Sequence, residues 1–84
     1  MNKQIAKKTI IVHILILLYN GSSFESPIKI NQITNVLNSM GILCDRRTVS
    51  RNIKYLIEAR LPIFRKKGNM GGYYYNKELD KFFN

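Results

Sequence analysis

The sequence predicts a mainly α-helical α+β fold, in which three helices are followed by a small β-hairpin. The chain has 84 residues, which is enough for one hydrophobic core. Apolar residues recur at helical spacing in three segments, at about 4–19, 31–40 and 46–59. After Pro62 the pattern changes to β-branched and aromatic residues on both sides of a glycine-rich connector. This second pattern predicts a hairpin over about 63–75.

The first helix carries apolar residues on two sides. Its main stripe has i, i+3, i+4, i+7 spacing and consists of Ile11, Ile14, Leu15 and Leu18. A second stripe lies opposite and consists of Val12, Ile16 and Tyr19. In the tail, residues 76–84, one helical face would carry Leu79, Phe82 and Phe83. We expect the second stripe and the tail residues either to cover each other within one chain or to form a homodimer interface.

Local signals predict how the segments begin and connect. Residues 28–30 follow a proline and predict a short strand. Asn31 and Asp45 precede the second and third helices and are the expected N-caps. Residues 41–44 contain a glycine and connect these two helices, a length typical of a helix-turn-helix. In the second hairpin strand we expect Tyr74 to pack into the core.

The charge balance indicates a polyanionic partner. The chain has 14 lysines and arginines against 5 aspartates and glutamates, a net charge of +9. The excess is +3 in residues 1–44 (4 basic, 1 acidic), +6 in residues 45–72 (8 basic, 2 acidic) and zero in residues 73–84 (2 basic, 2 acidic). Such a density attracts nucleic acid or an anionic membrane surface. The longest apolar run falls well short of the roughly 20 residues of a membrane span, so no membrane partner is expected.

The composition argues against an enzyme, a metal site and a cofactor. Cys44 is the only cysteine and His13 the only histidine, so four zinc ligands of the usual types are lacking. We interpret Cys44 as a small buried hydrophobic side chain of a cytoplasmic protein rather than as a redox sensor. The five carboxylates form no recognisable pair, and the phosphate-binding motif GxxxxGK[ST] is absent. Basic residues followed by the apolar run 10–19 have the outline of a secretory signal, but its removal would take away the longest apolar helix.

The third helix separates apolar and polar residues onto opposite sides. Its apolar side consists of Val49, Ile53, Leu56 and Ile57. Its polar stripe consists of Arg47, Ser50, Arg51, Lys54 and Glu58. The second helix of a helix-turn-helix enters the major groove, where arginine reads guanine edges and polar side chains hold phosphates. We therefore predict DNA contacts from the first four members of the stripe and from Arg46 and Thr48, which flank it; a solvated charged face is the alternative.

The hairpin adds a second basic segment. Arg65, Lys66 and Lys67 lead into the glycine-rich connector 68–72. A basic loop at a hairpin tip can straddle phosphates or enter the minor groove, although an ordinary exposed turn has the same composition. Together with the preceding helices, this hairpin predicts a winged helix-turn-helix, in which the hairpin is the wing.

The sequence around the third helix resembles a family. Residues 45–53 (DRRTVSRNI) and 56–59 (LIEA) resemble the recognition helix of the module that opens WYL-domain regulators. The module is similar to those of DeoR-like and biotin-repressor-like bacterial transcription factors. The dipeptide PI at 62–63 and the run GGYYY at 71–75 extend the likeness over about residues 8–76.

The resemblance implies double-stranded DNA binding and transcriptional control in a bacterium or its mobile elements. By position it implies DNA contacts from Arg46, Arg47, Thr48, Ser50, Arg51 and Lys54, and wing contacts from Lys66 and Lys67. Two departures stand out. The family usually has glycine where this chain has Arg60, so a left-handed helix end there would be strained unless the helix ran one residue longer. The 84 residues also lack the family's C-terminal sensor domain, so dimerisation would depend on other surfaces.

Two functions of different classes remain open from the sequence. The first is a sequence-specific DNA-binding transcription regulator, a repressor located at the nucleoid in the cytoplasm. The second is a small phage- or plasmid-type interaction protein that uses the same fold to bind or inhibit a protein or ribonucleoprotein. RNA binding ranks below both, because the expected fold has no aromatic stacking platform of the usual kind.

Overall fold

The computed structural model describes residues 9–81, which form three helices and a two-stranded antiparallel hairpin. The elements are α1 (Ile10–Gly21), α2 (Ile30–Ser39), α3 (Arg46–Glu58), β1 (Ile63–Lys66), β2 (Gly72–Tyr75) and a 3-10 turn (Lys77–Leu79). The predicted α+β class with three helices and a wing is confirmed. Helix α3 ends at Glu58, one residue before its predicted end at 59. Helix α1 ends at Gly21, two residues after its predicted end at 19.

Helix α1 lies against α3, β2 and α2. Its buried residues are Ile10, Ile14 and Leu18. Of the predicted main stripe, Ile14 and Leu18 are fully buried, whereas Ile11 and Leu15 are partly buried against the core. The expected second stripe is divided. Val12 and Ile16 are about half exposed, at 49% and 52%. Tyr19 instead packs edge-on against Tyr75, with ring centroids 4.9 Å apart, and so belongs to the edge of the core.

The N-terminus of α2 differs from the prediction. The N-cap is Lys29, not Asn31, and the helix begins at Ile30. The backbone of Lys29 is extended, and its amide donates a 2.9 Å hydrogen bond to Oε1 of Gln32. Gln32 thus provides a hydrogen-bond acceptor for a backbone amide at the N-terminus of the helix. Asn31 cannot be the N-cap because it lies within the helix.

The short strand predicted at 28–30 is reduced to one residue. The amide and the carbonyl of Ile28 each form a 2.8 Å hydrogen bond with the backbone of Tyr73. The pairing stops there because Ile30 is already helical. This single bridge ties the start of α2 to the wing.

Helices α2 and α3 end in the same way, with a residue in the left-handed region directly after the C-cap. This residue is Gly41 (φ 88°) after α2 and Arg60 (φ 73°) after α3. The amide of Arg60 donates to the carbonyl of Ile57 at 3.0 Å, and the amide of Leu61 donates to the carbonyl of Leu56 at 3.2 Å. These two bonds form a Schellman motif, which normally has glycine at its left-handed position. Arg60 therefore adopts the conformation that the resemblance implied, without the glycine.

Helix α3 begins at the predicted N-cap. Oδ1 of Asp45 accepts a 2.8 Å hydrogen bond from the amide of Thr48. This bond, with a smaller contribution from the charge of Arg47, lowers the pKa of the Asp45 carboxyl. The buried residues of the helix are Val49, Ile53 and Leu56. Ile57, expected on the apolar side, is 41% exposed.

The hairpin register determines which tyrosine enters the core. Ile63 pairs with Tyr75, and both are buried, at 3% and 2% exposure. Because side chains alternate along a strand, Tyr74 lies on the opposite face of the hairpin. There its ring contacts those of Phe24 and Phe64, with centroids 5.6 and 6.0 Å away. The prediction that Tyr74 packs into the core is wrong, and Tyr75 takes that position.

Two adjacent glycines allow the wing to approach other backbone segments closely. A Cβ atom on Gly71 would lie 2.1 Å from the carbonyl oxygen of Lys66. One on Gly72, where φ is 151°, would lie 2.7 Å from the carbonyl of Ile28. Neither position has room for a side chain, which gives a physical reason for the glycine pair at 71–72.

The tail begins with a turn instead of the predicted helical face. Oδ1 of Asn76 accepts a 3.0 Å hydrogen bond from the amide of Glu78, and the chain is extended again at Asp80. Leu79 is 54% exposed at the end of this turn. Asp80 is buried, and desolvation together with this neighbouring carboxyl raises the pKa of the Tyr75 phenol to about 12.

Parts of two predictions lie outside the described residues. The first helix was expected to begin near residue 4, and the described part of α1 begins at Ile10. Phe82 and Phe83, two of the expected interface residues, follow the last described residue.

Candidate nucleic-acid interface

One open groove of about 880 Å³ lies between α3, the N-terminal end of α2 and the wing. Its basic lining residues are Lys29, Arg46, Arg47, Arg51, Lys54, Arg65, Lys66 and Lys67. Its other lining residues are Ile30, Asn31, Ser50, Gly68, Gly71, Gly72 and Tyr73. None of these residues of the described chain is acidic. Eight positive side chains therefore share one concave surface without a compensating carboxylate.

Helix α3 contributes its polar face to the groove. The helical repeat places the first four members of the predicted stripe on one side, and they line the groove: Arg47, Ser50, Arg51 and Lys54. The fifth member, Glu58, is not part of the lining. The opposite side of α3 is buried against α1 and α2, so the helix cannot rotate without exposing its apolar residues. Packing of the core thus orients the arginines toward the groove.

Eight of the nine predicted DNA-contacting residues line this groove, and Thr48 is the exception. The amide of Thr48 is bonded to Asp45, and its carbonyl accepts a 2.9 Å hydrogen bond from Nδ2 of Asn52. One of the backbone amides at the α3 N-terminus is therefore already bonded to the side chain of Asp45. An anion approaching this end of the helix also meets the carboxylate of Asp45.

The N-terminal end of α2 supplies groove residues that the sequence analysis did not predict. Nη1 of Arg46 donates a 3.2 Å hydrogen bond to Oδ1 of Asn31, which links the starts of α3 and α2. Nζ of Lys29 donates a 2.7 Å hydrogen bond to the carbonyl of Asn69 in the wing. The sequence signal for the start of α2 is a lysine directly before the helix with a glutamine three residues later. Its closeness to the wing depends on the bridge between Ile28 and Tyr73.

The wing contributes residues from both of its strands and from their connector. Arg65 pairs directly with Tyr73 across the hairpin, so both side chains lie on the same face, and both line the groove. Lys67 follows β1 and is exposed. Tyr73 is half-buried. The hairpin thus presents an arginine and a lysine opposite the polar face of α3.

Lys66 has a further role within the fold. Its Nζ donates a 3.0 Å hydrogen bond to the carbonyl of Phe24 and lies 4.2 Å from the centroid of the Phe24 ring. These contacts hold the loop after α1 against the wing. Of the three predicted wing cations, Lys66 is therefore the one with an identified intramolecular partner.

The remaining titratable candidates have structural roles. Nδ1 of His13 lies 2.8 Å from the carbonyl oxygen of Thr9, the N-cap of the same helix. Cys44 packs at the edge of the core, and desolvation, with the neighbouring Asp45 charge, raises the pKa of its thiol. A raised pKa leaves less of the reactive thiolate. Within residues 9–81, no three His, Cys, Asp or Glu side chains come together as a metal-binding group.

None of the helices within the described part of the chain has the length and apolar character needed to cross a membrane. Comparison of the chain with family models, curated proteins and solved structures gave no match. The groove and its charges are therefore the observations from which a function is proposed.

Proposed function

We propose that the protein is a sequence-specific double-stranded DNA-binding transcription regulator, a repressor that acts at the nucleoid. The observation that carries this proposal is the convergence of eight basic side chains from three elements on one groove that no carboxylate lines. A duplex presents two parallel rows of phosphates, and most of its affinity for a protein comes from neutralising them. Occupying a promoter is sufficient to block other proteins from it, so repression requires no further surface.

Helix α3 is the reading element in this proposal. Arg47 and Arg51 are exposed, one turn apart, and in the N-terminal half of the helix. An arginine in the major groove can donate two hydrogen bonds to O6 and N7 of guanine. Ser50 lies between them on the same face and is suited to a base edge or a phosphate.

The wing and α2 position the duplex. Arg65 and Lys67 lie across the groove from α3. Lys29 lies at the N-terminal end of α2, which forms the third side of the groove. With α3 in the major groove, these cations are placed to contact the sugar–phosphate backbone or the adjacent minor groove. Such contacts set orientation and register, whereas the arginines of α3 set sequence preference.

Fluorescence-anisotropy titration at several salt concentrations tests the proposal. The probes are labelled duplexes of about 30 base pairs, long enough for two half-sites one turn apart: one selected from a random library, one from the DNA upstream of the gene, and one scrambled. We expect tighter binding to the selected duplex. The logarithm of the affinity is expected to fall by about 0.9 for each phosphate contact per log unit of salt.

A double variant separates readout from overall charge. Arg47→Ala/Arg51→Ala is expected to weaken binding to the selected duplex by at least about thirtyfold and to abolish the preference over scrambled DNA. The matched control, Arg60→Gly/Lys81→Ala, also removes two positive charges, but from residues that do not line the groove. It should retain the preference. Equal loss in the two double variants would contradict readout by α3.

We further propose a homodimer that uses the outer side of α1. Val12 and Ile16 are half exposed one turn apart, and the expected partners in the tail are Leu79, Phe82 and Phe83. A two-fold dimer would bind a palindrome with half-sites about one helical turn apart. Sedimentation of Val12→Lys/Ile16→Lys beside the unaltered protein tests this: the variant should be monomeric, and its melting temperature, unlike that of the unaltered protein, should not depend on protein concentration.

The alternative, an interaction protein, is favoured by a different surface. Val36 on α2 and Met40 at its C-cap lie one turn apart, and Leu43 follows in the turn; they are 39%, 52% and 81% exposed. Exposed apolar residues that adjoin one another are typical of protein-binding sites. Biological activity that survives Arg47→Ala/Arg51→Ala but is lost in Met40→Asp/Leu43→Asp would favour a protein partner over DNA.

A further inference from the structure

The wing ends in an apolar side chain that the core does not use. Met70 is 81% exposed, and it lies in the connector between β1 and β2. The hydrophobic core cluster and the hydrophobic side chains packed against it do not include it. A hairpin tip normally carries small or polar residues, and this methionine stands among lysines and glycines beside the basic groove.

The backbone on both sides of Met70 is held in place. The carbonyl of Asn69 accepts the 2.7 Å hydrogen bond from Nζ of Lys29, and the amide of Gly71 donates to the carbonyl of Gly68 at 3.0 Å. Gly71 is buried, with its Cα directly beside the carbonyl of Lys66. The turn is therefore defined by contacts before and after the methionine, and these contacts leave its side chain exposed.

The position of this turn relates Met70 to the proposed DNA interface. Lys67, Gly68, Gly71 and Gly72, on both sides of it in the chain, all line the basic groove. Met70 thus stands at the rim, next to cations that would hold a phosphate backbone. With α3 in the major groove, a side chain that projects from this rim would face the adjacent minor groove.

We propose that Met70 is an apolar wedge that enters the minor groove and partly separates one base step, so that the protein bends the DNA it binds. This inference rests on the proposed DNA binding and adds a deformation activity to it. Methionine is unbranched and polarizable, which suits insertion between stacked bases, and apolar wedges of this kind kink duplexes by about 20–90°. The bend would favour DNA sites with a flexible pyrimidine–purine step under the wing. This sequence preference comes from the deformability of the DNA and not from a contact with a base edge.

The experiment measures bending and affinity on the same complexes. The duplex selected from the random library carries a donor dye at one end and an acceptor at the other. Energy transfer reports the end-to-end distance, and anisotropy reports binding. The unaltered protein should raise the transfer efficiency by an amount equivalent to a bend of at least about 20°. In Met70→Ala at saturation, we expect less than half of this rise and a roughly five- to thirtyfold weaker affinity, which corresponds to about 1–2 kcal/mol of lost apolar contact.

Two further variants isolate the wedge. Met70→Lys adds a phosphate-binding charge but removes the apolar end, so it should bind the duplex without the full bend. Ile57→Ala is the matched control, because Ile57 is also an exposed apolar side chain and does not line the groove; its bend should equal that of the unaltered protein. A Met70→Ala variant with an undiminished bend overturns the inference.

The outcomes also separate this inference from the proposed function. An unaltered protein that binds its selected duplex tightly and leaves the end-to-end distance unchanged disproves the wedge alone. An unaltered protein that binds no duplex, selected or scrambled, disproves both DNA binding and the wedge.

Discussion

Nζ of Lys29 lies 2.7 Å from the carbonyl oxygen of Asn69, so the residue that caps α2 also holds the tip of the wing. The two residues are 40 positions apart in the chain. The bond spans one side of the basic groove and joins the helix-turn-helix to the hairpin. Lys29 consequently has two roles, as one of the groove cations and as a support for the loop that carries Met70.

Lys29→Met tests this support. The substitution keeps the aliphatic stem but removes the donor, so the exposed bond should cost at most about 1 kcal/mol of folding free energy. We expect faster amide hydrogen exchange at residues 69–71, with α1 and α3 unaffected, and weaker duplex binding. Lys54→Met is the control, because it removes a groove charge and leaves the wing tip untouched. Unchanged exchange at the tip in Lys29→Met would show that the bond does not order it.

Adjacent lysines in the wing should respond differently to the same substitution. Lys66→Met loses a hydrogen bond and a cation–π contact with Phe24, and we expect its stability to fall by about 1–2 kcal/mol. Lys67→Met should melt within about 2–4 °C of the unaltered protein, since exposed substitutions rarely exceed about 0.5 kcal/mol, and should lose DNA affinity. Thermal unfolding and anisotropy titration measure the two effects. Identical melting temperatures for both variants would argue against a stabilising role of the Phe24 contact.

The N-cap of α3 should make stability dependent on pH. The folded pKa of Asp45 is lowered by its bond to the Thr48 amide, so its stabilising effect is present above the unfolded pKa of about 3.9. It should be lost as the pH falls from that value through the folded pKa. Asp45→Asn keeps an N-cap acceptor that does not titrate. The melting temperature of the unaltered protein should therefore fall more steeply below about pH 4 than that of the variant.

A control compares the two proteins over the pH range in which Asp45 stays charged. Both proteins contain the other carboxylates, so the difference between their melting temperatures at each pH reports the effect of Asp45 alone. This difference should be constant between about pH 5 and pH 7. Parallel acid profiles for the two proteins would mean that the cap does not contribute to acid unfolding.

Replacing Arg60 with glycine should stabilise the protein. An L-residue in the left-handed region costs about 1–2 kcal/mol, and the greater freedom of glycine in the unfolded chain offsets about 0.5–1 kcal/mol of that gain. We expect Arg60→Gly to raise the free energy of unfolding by about 0.5–1 kcal/mol in urea titrations. Arg60→Ala removes the same charge but keeps the backbone strain, so its midpoint should stay close to that of the unaltered protein. A stabilisation shared by both variants would point to charge rather than strain.

The parts of the fold that depend on neighbours within one turn of helix could be predicted from the sequence. The apolar spacing of Val49, Ile53 and Leu56 defines the buried side of α3, and the same periodicity places Arg47 and Arg51 on the opposite side. Asp45 was identified as an N-cap because the cap bond involves a residue only three positions away. The same local pattern predicts the α3 residues that line the groove, Arg47, Ser50, Arg51 and Lys54.

The tertiary structure decided the features that depend on distant segments. Three successive tyrosines carry no pattern that identifies the buried one, and the pairing of Ile63 with Tyr75 selects it. The bridge between Ile28 and Tyr73 brings Lys29 to the wing, so a residue before α2 becomes part of the groove.

The sequence by itself therefore determined the helices, the hairpin, the concentration of positive charge and the polar face of α3, because each is encoded by residues close together in the chain. The tertiary structure decided which cations face the groove and which support the fold. Lys66 reaches Phe24 across 42 positions, whereas its neighbour Lys67 remains exposed. The two side chains are chemically identical, and they differ only in the partner that folding brings within reach, because successive residues of an extended chain point to opposite sides.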